Sequence, residues 1–243
     1  KMKVKLIDYT YGAVDKLIYT KSTRLTQGDE TRDKIKKMSI EEKQEELSYM
    51  ANTIPSSWEF VNYTFEISGV SRAFTHQFVR TRTGSYAQQT MRLLNMEKFE
   101  YVTGPTIEDN VNCKEAYDKC MDTIQKTYDD LIDMGCAVED ARGVLPTNIC
   151  TNIIAQFNLR TIAEMGRSRT GKRTQNEYRD VFEGMFEEVI KIHPWAEDFI
   201  QPKGQDRLKL LEQLIETGEK RKLSTEERYC GWKAIDKIRK GEK

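Results

Sequence analysis

The sequence predicts an α+β fold, a single domain over residues 1–243 in which a mixed or antiparallel sheet is flanked by helices. Three observations predict it. Two segments, 3–9 and 61–68, alternate apolar and polar residues with the period of two that marks a half-buried strand. Most of the remaining apolar residues recur at three- and four-residue spacing, the period of an amphipathic helix. No repeat of 20–50 residues and no Pro/Gly/Ser linker divides the chain.

In order along the chain, residues 3–9 read as the first strand. Ser39 with Glu42 three residues later is a capping-box pattern, and it opens a charged helix to about Ala51. Val61, Tyr63, Phe65 and Ile67 alternate with Asn62, Thr64, Glu66 and Ser68, which is a second strand. The period then changes, because Val70, Phe74 and Phe78 stand four apart and predict a helix over about 71–80. Residues 99–102 read as a short strand. Ala116, Cys120, Ile124, Tyr128 and Leu131 mark a long helix stopped near Gly135. Residues 148–165 read as helical from Ile149, Ile153, Ile154 and Phe157. Residues 175–192 follow from Tyr178, Val181, Phe182, Met185, Phe186 and Val189, with Pro194-Trp195 closing them. Two further helices are predicted over 208–215 and 225–238.

Lysine plus arginine equals aspartate plus glutamate, 39 against 39. Sequence-independent nucleic-acid binding rests on neutralising phosphates, so a chain without net charge is a poor candidate for it. No apolar run reaches the ~20 residues of a membrane helix, and the opening residues lack a signal-peptide core. Both point to a soluble cytoplasmic protein. The five cysteines (Cys113, Cys120, Cys136, Cys150 and Cys230) form no CxxC pair and are odd in number, so neither a zinc site nor a disulfide framework is indicated. They read as reduced, buried structural thiols.

The positive charge is clustered. Arg72, Arg80, Arg82 and Arg92 fall in a stretch with no acid, and Arg160, Arg167, Arg169, Lys172 and Arg173 in one whose single acid is Glu164. The first block runs Gln77-Phe-Val-Arg80-Thr81-Arg82-Thr-Gly-Ser85-Tyr-Ala-Gln88-Gln89-Thr90-Met-Arg92. Guanidinium forks match phosphate oxygens, and hydroxyls and loop N–H groups fill the remaining lone pairs. The second block holds Arg142-Gly-Val-Leu-Pro146, Asn158-Leu-Arg160 and the run from Arg167 to Arg173, ahead of a helix opening near Thr174 whose free N–H groups attract anions. The same composition also describes solvated helix ends and basic surface loops, and composition alone does not separate the two. P-loop, GxGxxG, HExxH and GxSxG patterns are absent.

At these residues the chain resembles the flavin-dependent thymidylate synthases. That family carries Arg-His-Arg, a serine after a short spacer, and a later Ser-x-Arg. Here Arg80-Thr81-Arg82, Ser85, Thr90 and Arg92 stand at matching spacing, and Gln77 sits at the family's glutamine. The segment from Glu59 to Phe65 resembles the strand before the signature helix. Ala141-Arg142-Gly-Val-Leu-Pro146 resembles the family's A-R-x-x-L-P, and Asn158, Arg160, Arg169, Gln175 and Glu177 keep its later spacing. The resemblance runs from about Glu59 to Trp195. Departures are Thr81 for the signature histidine, Ala87 and Gln88 for Asn and Glu, Leu93 for Tyr, and Glu164 where the family often has asparagine.

The resemblance implies reductive methylation of dUMP to dTMP with FAD as cofactor and with methylenetetrahydrofolate and NADPH as co-substrates. It implies contacts to the nucleotide from Gln77, Gln88, Thr90, Arg92 and Arg142. Arg169 is placed at the base as the catalytic group. Flavin contacts fall to Ser56, Arg80, Thr81, Arg82, Gln88, Asn158 and Glu164. It also implies a homotetramer whose subunits share sites, so that the two basic blocks meet across an interface. The alternatives are methylation or hydroxymethylation of another pyrimidine nucleotide such as dCMP, and a non-catalytic nucleotide- or RNA-binding homologue.

Overall fold

In the computed structural model, which describes residues 2–171 and 173–200, four antiparallel strands form one sheet in the order β1-β2-β4-β3. The strands are β1 (Lys3–Tyr9), β2 (Asn62–Ser71), β3 (Ser85–Gln88) and β4 (Cys150–Asn158). The α+β class is as predicted, and the sheet is antiparallel throughout. The helices of eight residues or more are α1 (Ala13–Ser22), α2 (Asp29–Lys37), α3 (Ile40–Thr53), α7 (Val111–Asp133), α9 (Leu159–Arg169) and α10 (Asn176–Ile192). Shorter ones are α4 (Pro55–Trp58), α5 (Arg72–Phe78), α6 (Pro105–Glu108), α8 (Val138–Ala141) and α11 (Glu197–Ile200). The helices predicted over 208–215 and 225–238, and Cys230, lie outside the described residues.

One face of the sheet carries the core. Tyr63, Phe65 and Ile67 of β2 and Ile153, Ala155 and Phe157 of β4 are buried, while Asn152, Ile154 and Gln156 point to the other face and are exposed. Tyr178, Val181, Phe182, Met185 and Val189 of α10 pack against that inner face. Gly184 permits the approach, since a Cβ there would meet Val4 of β1 at 3.0 Å. The capping box forms as predicted: Ser39 Oγ accepts from Glu42 N at 3.1 Å and Glu42 accepts from Ser39 N at 2.7 Å. Gly135, at φ 84°, follows the end of α7.

Three predicted features are corrected. Residues 150–158 are a strand, and the helix begins only at Leu159. Ile149, Ile153 and Phe157 stand four apart, and four is also a multiple of the strand period, so that spacing fits either element. Residues 99–102 do not form a strand; only Tyr101 bridges to Ile149, beside Cys150 N donating to Glu100 O at 2.8 Å. Among the described cysteines, Cys113, Cys120 and Cys136 are exposed and Cys150 is half-buried, so these free thiols are not core residues. The composition-based reading also passed over β3, α1 and α2.

Candidate active site

Helix α5 is short, and its position is set from outside. Ser71 caps it, its Oγ accepting from Phe74 N at 3.0 Å. The Glu177 carboxylate from α10 then accepts from both Ser71 N and Ser71 Oγ at 2.6 Å. This puts a negative charge at the helix N-terminus, where the dipole favours it. Further along, Gln77 Nε2 donates to Gln175 Oε1 at 3.0 Å, and beyond the helix Thr161 Oγ1 meets Thr83 Oγ1 at 2.9 Å. The segments 71–83 and 161–177 therefore touch within one chain, at three points along α5 and the turn that follows it.

Three arginines gather near the N-terminal end of α5. Arg72 donates to Gln89 O at 2.7 Å, and Arg142 lies close enough that its charge, after burial, lowers the Arg72 pKa. Arg92 pairs with Glu139 through Nε at 2.7 Å, and Arg142 Nε donates to the Glu139 carbonyl at 3.0 Å. Thr90 Oγ1 accepts from Arg92 N at 3.1 Å and shapes the loop between Gln89 and Arg92. Of the three guanidinium groups only that of Arg92 meets a carboxylate, and the buried Arg72 Nε has no partner among the described residues. A buried donor without a partner costs ~1–3 kcal/mol. An incoming anion offsets that cost.

At the other end of α5, Arg169 sits in the last turn of α9, with its guanidinium carbon 5.3 Å from the Tyr178 ring centroid. The helix continues past the predicted end at Met165, so Arg167 and Arg169 are helical residues at a favourable C-terminus and do not belong to a loop. Tyr86, a half-buried residue of β3, donates to Thr81 O at 2.6 Å and to Phe78 O at 3.1 Å, fixing the Arg80-Thr81-Arg82 turn against the sheet. Burial raises the Tyr86 phenol to a pKa of about 12, so it stays protonated and keeps donating.

Two of the residues expected around a flavin, Asn158 and Glu164, lie at the start of α9 and within it. Asn158 caps it, with Oδ1 accepting from Thr161 N at 2.8 Å. Arg160 binds Glu59 at 2.7 Å and Glu164 at 3.1 Å, tying the end of α4 to α9. Glu164 is thereby occupied. Arg80 and Arg82 are exposed and have no acidic partner among the described residues. Ser56 accepts from Arg24 at 3.2 Å, which adds another guanidinium without a carboxylate. Unpaired arginines beside a helix start suit the pyrophosphate of a dinucleotide, so the residues fit FAD. Gln88 points inward: its Nε2 donates to Thr75 Oγ1 at 3.0 Å and Thr151 Oγ1 at 3.4 Å, leaving its amide oxygen for a ligand.

A cleft of about 1070 Å³ opens beside these groups, but its lining is wrong for phosphate. Glu100, Glu108, Asp109, Glu177 and Asp180 line it, and no lysine or arginine does. Its charge is opposite to that of the two arginine groups.

Residues 5–195 match the family described as thymidylate synthase complementing protein. A flavin-dependent thymidylate synthase of Clostridium tetani is 32% identical over 211 residues, covering 79% of this chain and 84% of that protein. The chain belongs to the flavin-dependent thymidylate synthase family. A relative of the same description from Sulfurisphaera tokodaii is 32% identical over 207 residues, with 83% of this chain and 78% of that protein covered. One from Pyrococcus furiosus reaches 37% over 137 residues, about half of each chain (55% and 56%).

Four residues at the site were not singled out from the sequence. Arg72 counted only as part of a charge cluster, and its neighbourhood with Arg142 appears once the segment before β4 has paired with the start of α5. Tyr178 reads as one apolar position on the α10 stripe, and its hydroxyl gives no periodic signal. Arg24 lies far in sequence from Ser56, and Glu139 from Arg92. Nothing in local spacing points to them.

Proposed function

We propose that the chain is a FAD-dependent enzyme that methylates dUMP at carbon 5 to give dTMP, taking a methylene unit from methylenetetrahydrofolate and reducing equivalents from NADPH. The observation that carries this is the arginine group at Arg72, Arg92 and Arg142, with its buried, unpartnered Nε. A phosphomonoester would satisfy it. In this reading Gln77, Thr90, Arg92 and Arg142 hold the phosphate and sugar, with Arg72 added from the geometry. Ser56, Arg80, Thr81, Arg82, Asn158 and Glu164 surround the flavin, and Gln88 faces the nucleotide and flavin with its free amide oxygen.

Arg169 meets the pyrimidine. A guanidinium beside the ring oxygen offsets the negative charge that develops there as carbon 5 becomes nucleophilic. Carbon 5 gains the one-carbon unit and loses its proton. FAD, when bound, supplies the hydride that brings the transferred unit to a methyl group. Burial pushes the Cys150 thiol pKa up, which keeps it protonated and fits chemistry without a cysteine nucleophile. A homotetramer with shared sites fits the exposed apolar side chains Leu25, Leu93 and Met134, which association would cover.

The same transfer onto dCMP, or hydroxymethylation, is the second reading, and it draws on Gln88. With Nε2 spent on Thr75 and Thr151, Gln88 offers an acceptor, which matches the N3–H of uracil and leaves the N3 acceptor of cytosine unmatched. That favours dUMP. Titration of the purified protein with FAD tests the proposal: a perturbed flavin absorbance band is the expected result. Free-flavin spectra throughout the titration would contradict it.

A further inference from the structure

Two buried polar side-chain atoms lack a partner among the described residues, Arg72 Nε and the Tyr178 hydroxyl. The first belongs to the phosphate group above. The second has no part in it. Tyr178 is fully buried on a helix face whose other inward residues, Val181, Phe182, Met185 and Val189, are apolar. A phenylalanine would fill the same space without burying an unpaired hydroxyl, so the oxygen calls for an explanation.

Its surroundings supply one. The ring is fixed edge-on by Phe74 at 5.4 Å and Phe78 at 5.8 Å. The Arg169 guanidinium lies over that ring at 5.3 Å, within reach of a cation–π interaction. Thr81 and Arg169 both pull the phenol pKa down against the larger effect of burial. Thr81 stands in the middle of the Arg80-Thr81-Arg82 turn, and its side chain is too short to reach far from it.

We propose that Tyr178 is the positioning residue for Arg169. Its ring carries the guanidinium, and its hydroxyl fixes the orientation in which that guanidinium meets the pyrimidine. The pyrimidine part rests on the dUMP reading above; the positioning does not. A small rotation of Arg169 towards the hydroxyl completes the hydrogen bond that the resting geometry leaves unmade.

The test uses Tyr178→Phe, which keeps the ring and removes the oxygen, in wild-type and Arg169→Lys backgrounds. Thermal midpoints should not fall, because no made hydrogen bond is lost. Turnover of dUMP by FAD-loaded protein should drop about 10- to 100-fold, the scale of a misplaced catalytic group, with KM little changed. In the Arg169→Lys background the same substitution should change turnover less than about twofold, since coupled residues are not additive. In nucleotide-free protein, the Arg169 Nε–H NMR resonance should broaden or shift in Tyr178→Phe. Unchanged turnover, a full effect in the Arg169→Lys background, or a loss of activity that tracks a fall in thermal midpoint would each overturn the proposal. If the wild type turns over no dUMP, the dUMP reading falls, and the Arg169 resonance still decides: a shift supports the positioning, an unmoved resonance refutes it.

Discussion

Replacing Gly84 by alanine should destabilise the protein and loosen the turn that carries Arg80, Thr81 and Arg82. A Cβ at this position would lie 2.4 Å from Phe157 Cε1, 2.8 Å from Phe157 Cδ1 and 2.8 Å from the Tyr86 hydroxyl. Neither neighbour can yield cheaply. Phe157 is buried in β4, with Phe78 edge-on at 5.4 Å and Tyr86 at 5.6 Å. Tyr86 is held by its hydrogen bonds to Thr81 O and Phe78 O. Overpacking a well-filled site costs ~1–3 kcal/mol, and a 2.4 Å clash against a ring belongs near the top of that range. At ~2–4 °C per kcal/mol for a protein of this size, the midpoint should fall by roughly 6–12 °C. Thermal melts followed by circular dichroism would measure it. The substitution should also weaken FAD binding, because moving Tyr86 releases the Thr81 carbonyl. A midpoint within about 2 °C of wild type, less than 1 kcal/mol on the same scale, would show that the ring of Phe157 does not pack on this glycine.

Three other substitutions follow from the same geometry. Glu139→Gln removes the carboxylate that competes for Arg92, so dUMP should bind about two- to fivefold tighter by calorimetry, the scale of an exposed ion pair; weaker binding would show that Glu139 helps hold the nucleotide. Arg169→Lys should fold normally and lose about 100- to 1000-fold in turnover, as when one aimed donor is removed, and unchanged turnover would place Arg169 outside the chemistry. Burial lowers the His193 pKa below its ordinary 6.5, so the unfolded chain takes up the proton first as pH falls. Stability should therefore decline as pH drops through about 6.5, and His193→Gln should remove that part of the slope in melts between pH 7 and 5.

The alternating strands, the capping box at Ser39 and the α10 stripe were legible because each is written in neighbouring residues. Both basic blocks were legible for the same reason, and their spacing pointed to the family. Residues 150–158 were not, since an apolar spacing of four satisfies a strand as well as a helix. Residues 85–88 look like polar loop because an edge strand of four residues buries only Tyr86 and Gln88, and those partly. The partners within the site were also hidden. Arg72 meets Arg142, Glu177 meets Ser71, and Tyr178 meets Arg169 only after β4 has paired between β2 and β3 and α10 has closed on the sheet. Long-range pairing of this kind leaves no periodic mark.

Methylation at carbon 5 must displace the hydrogen that carbon 5 carries, which gives the most direct measurement of the central claim. FAD-loaded protein is incubated with dUMP tritiated at carbon 5, methylenetetrahydrofolate and NADPH, and tritium in water is counted beside chromatography of the nucleotide. The account predicts tritium release matched by dTMP, and dependent on Arg169. Protein that binds FAD and dUMP yet releases no tritium and forms no dTMP would contradict it.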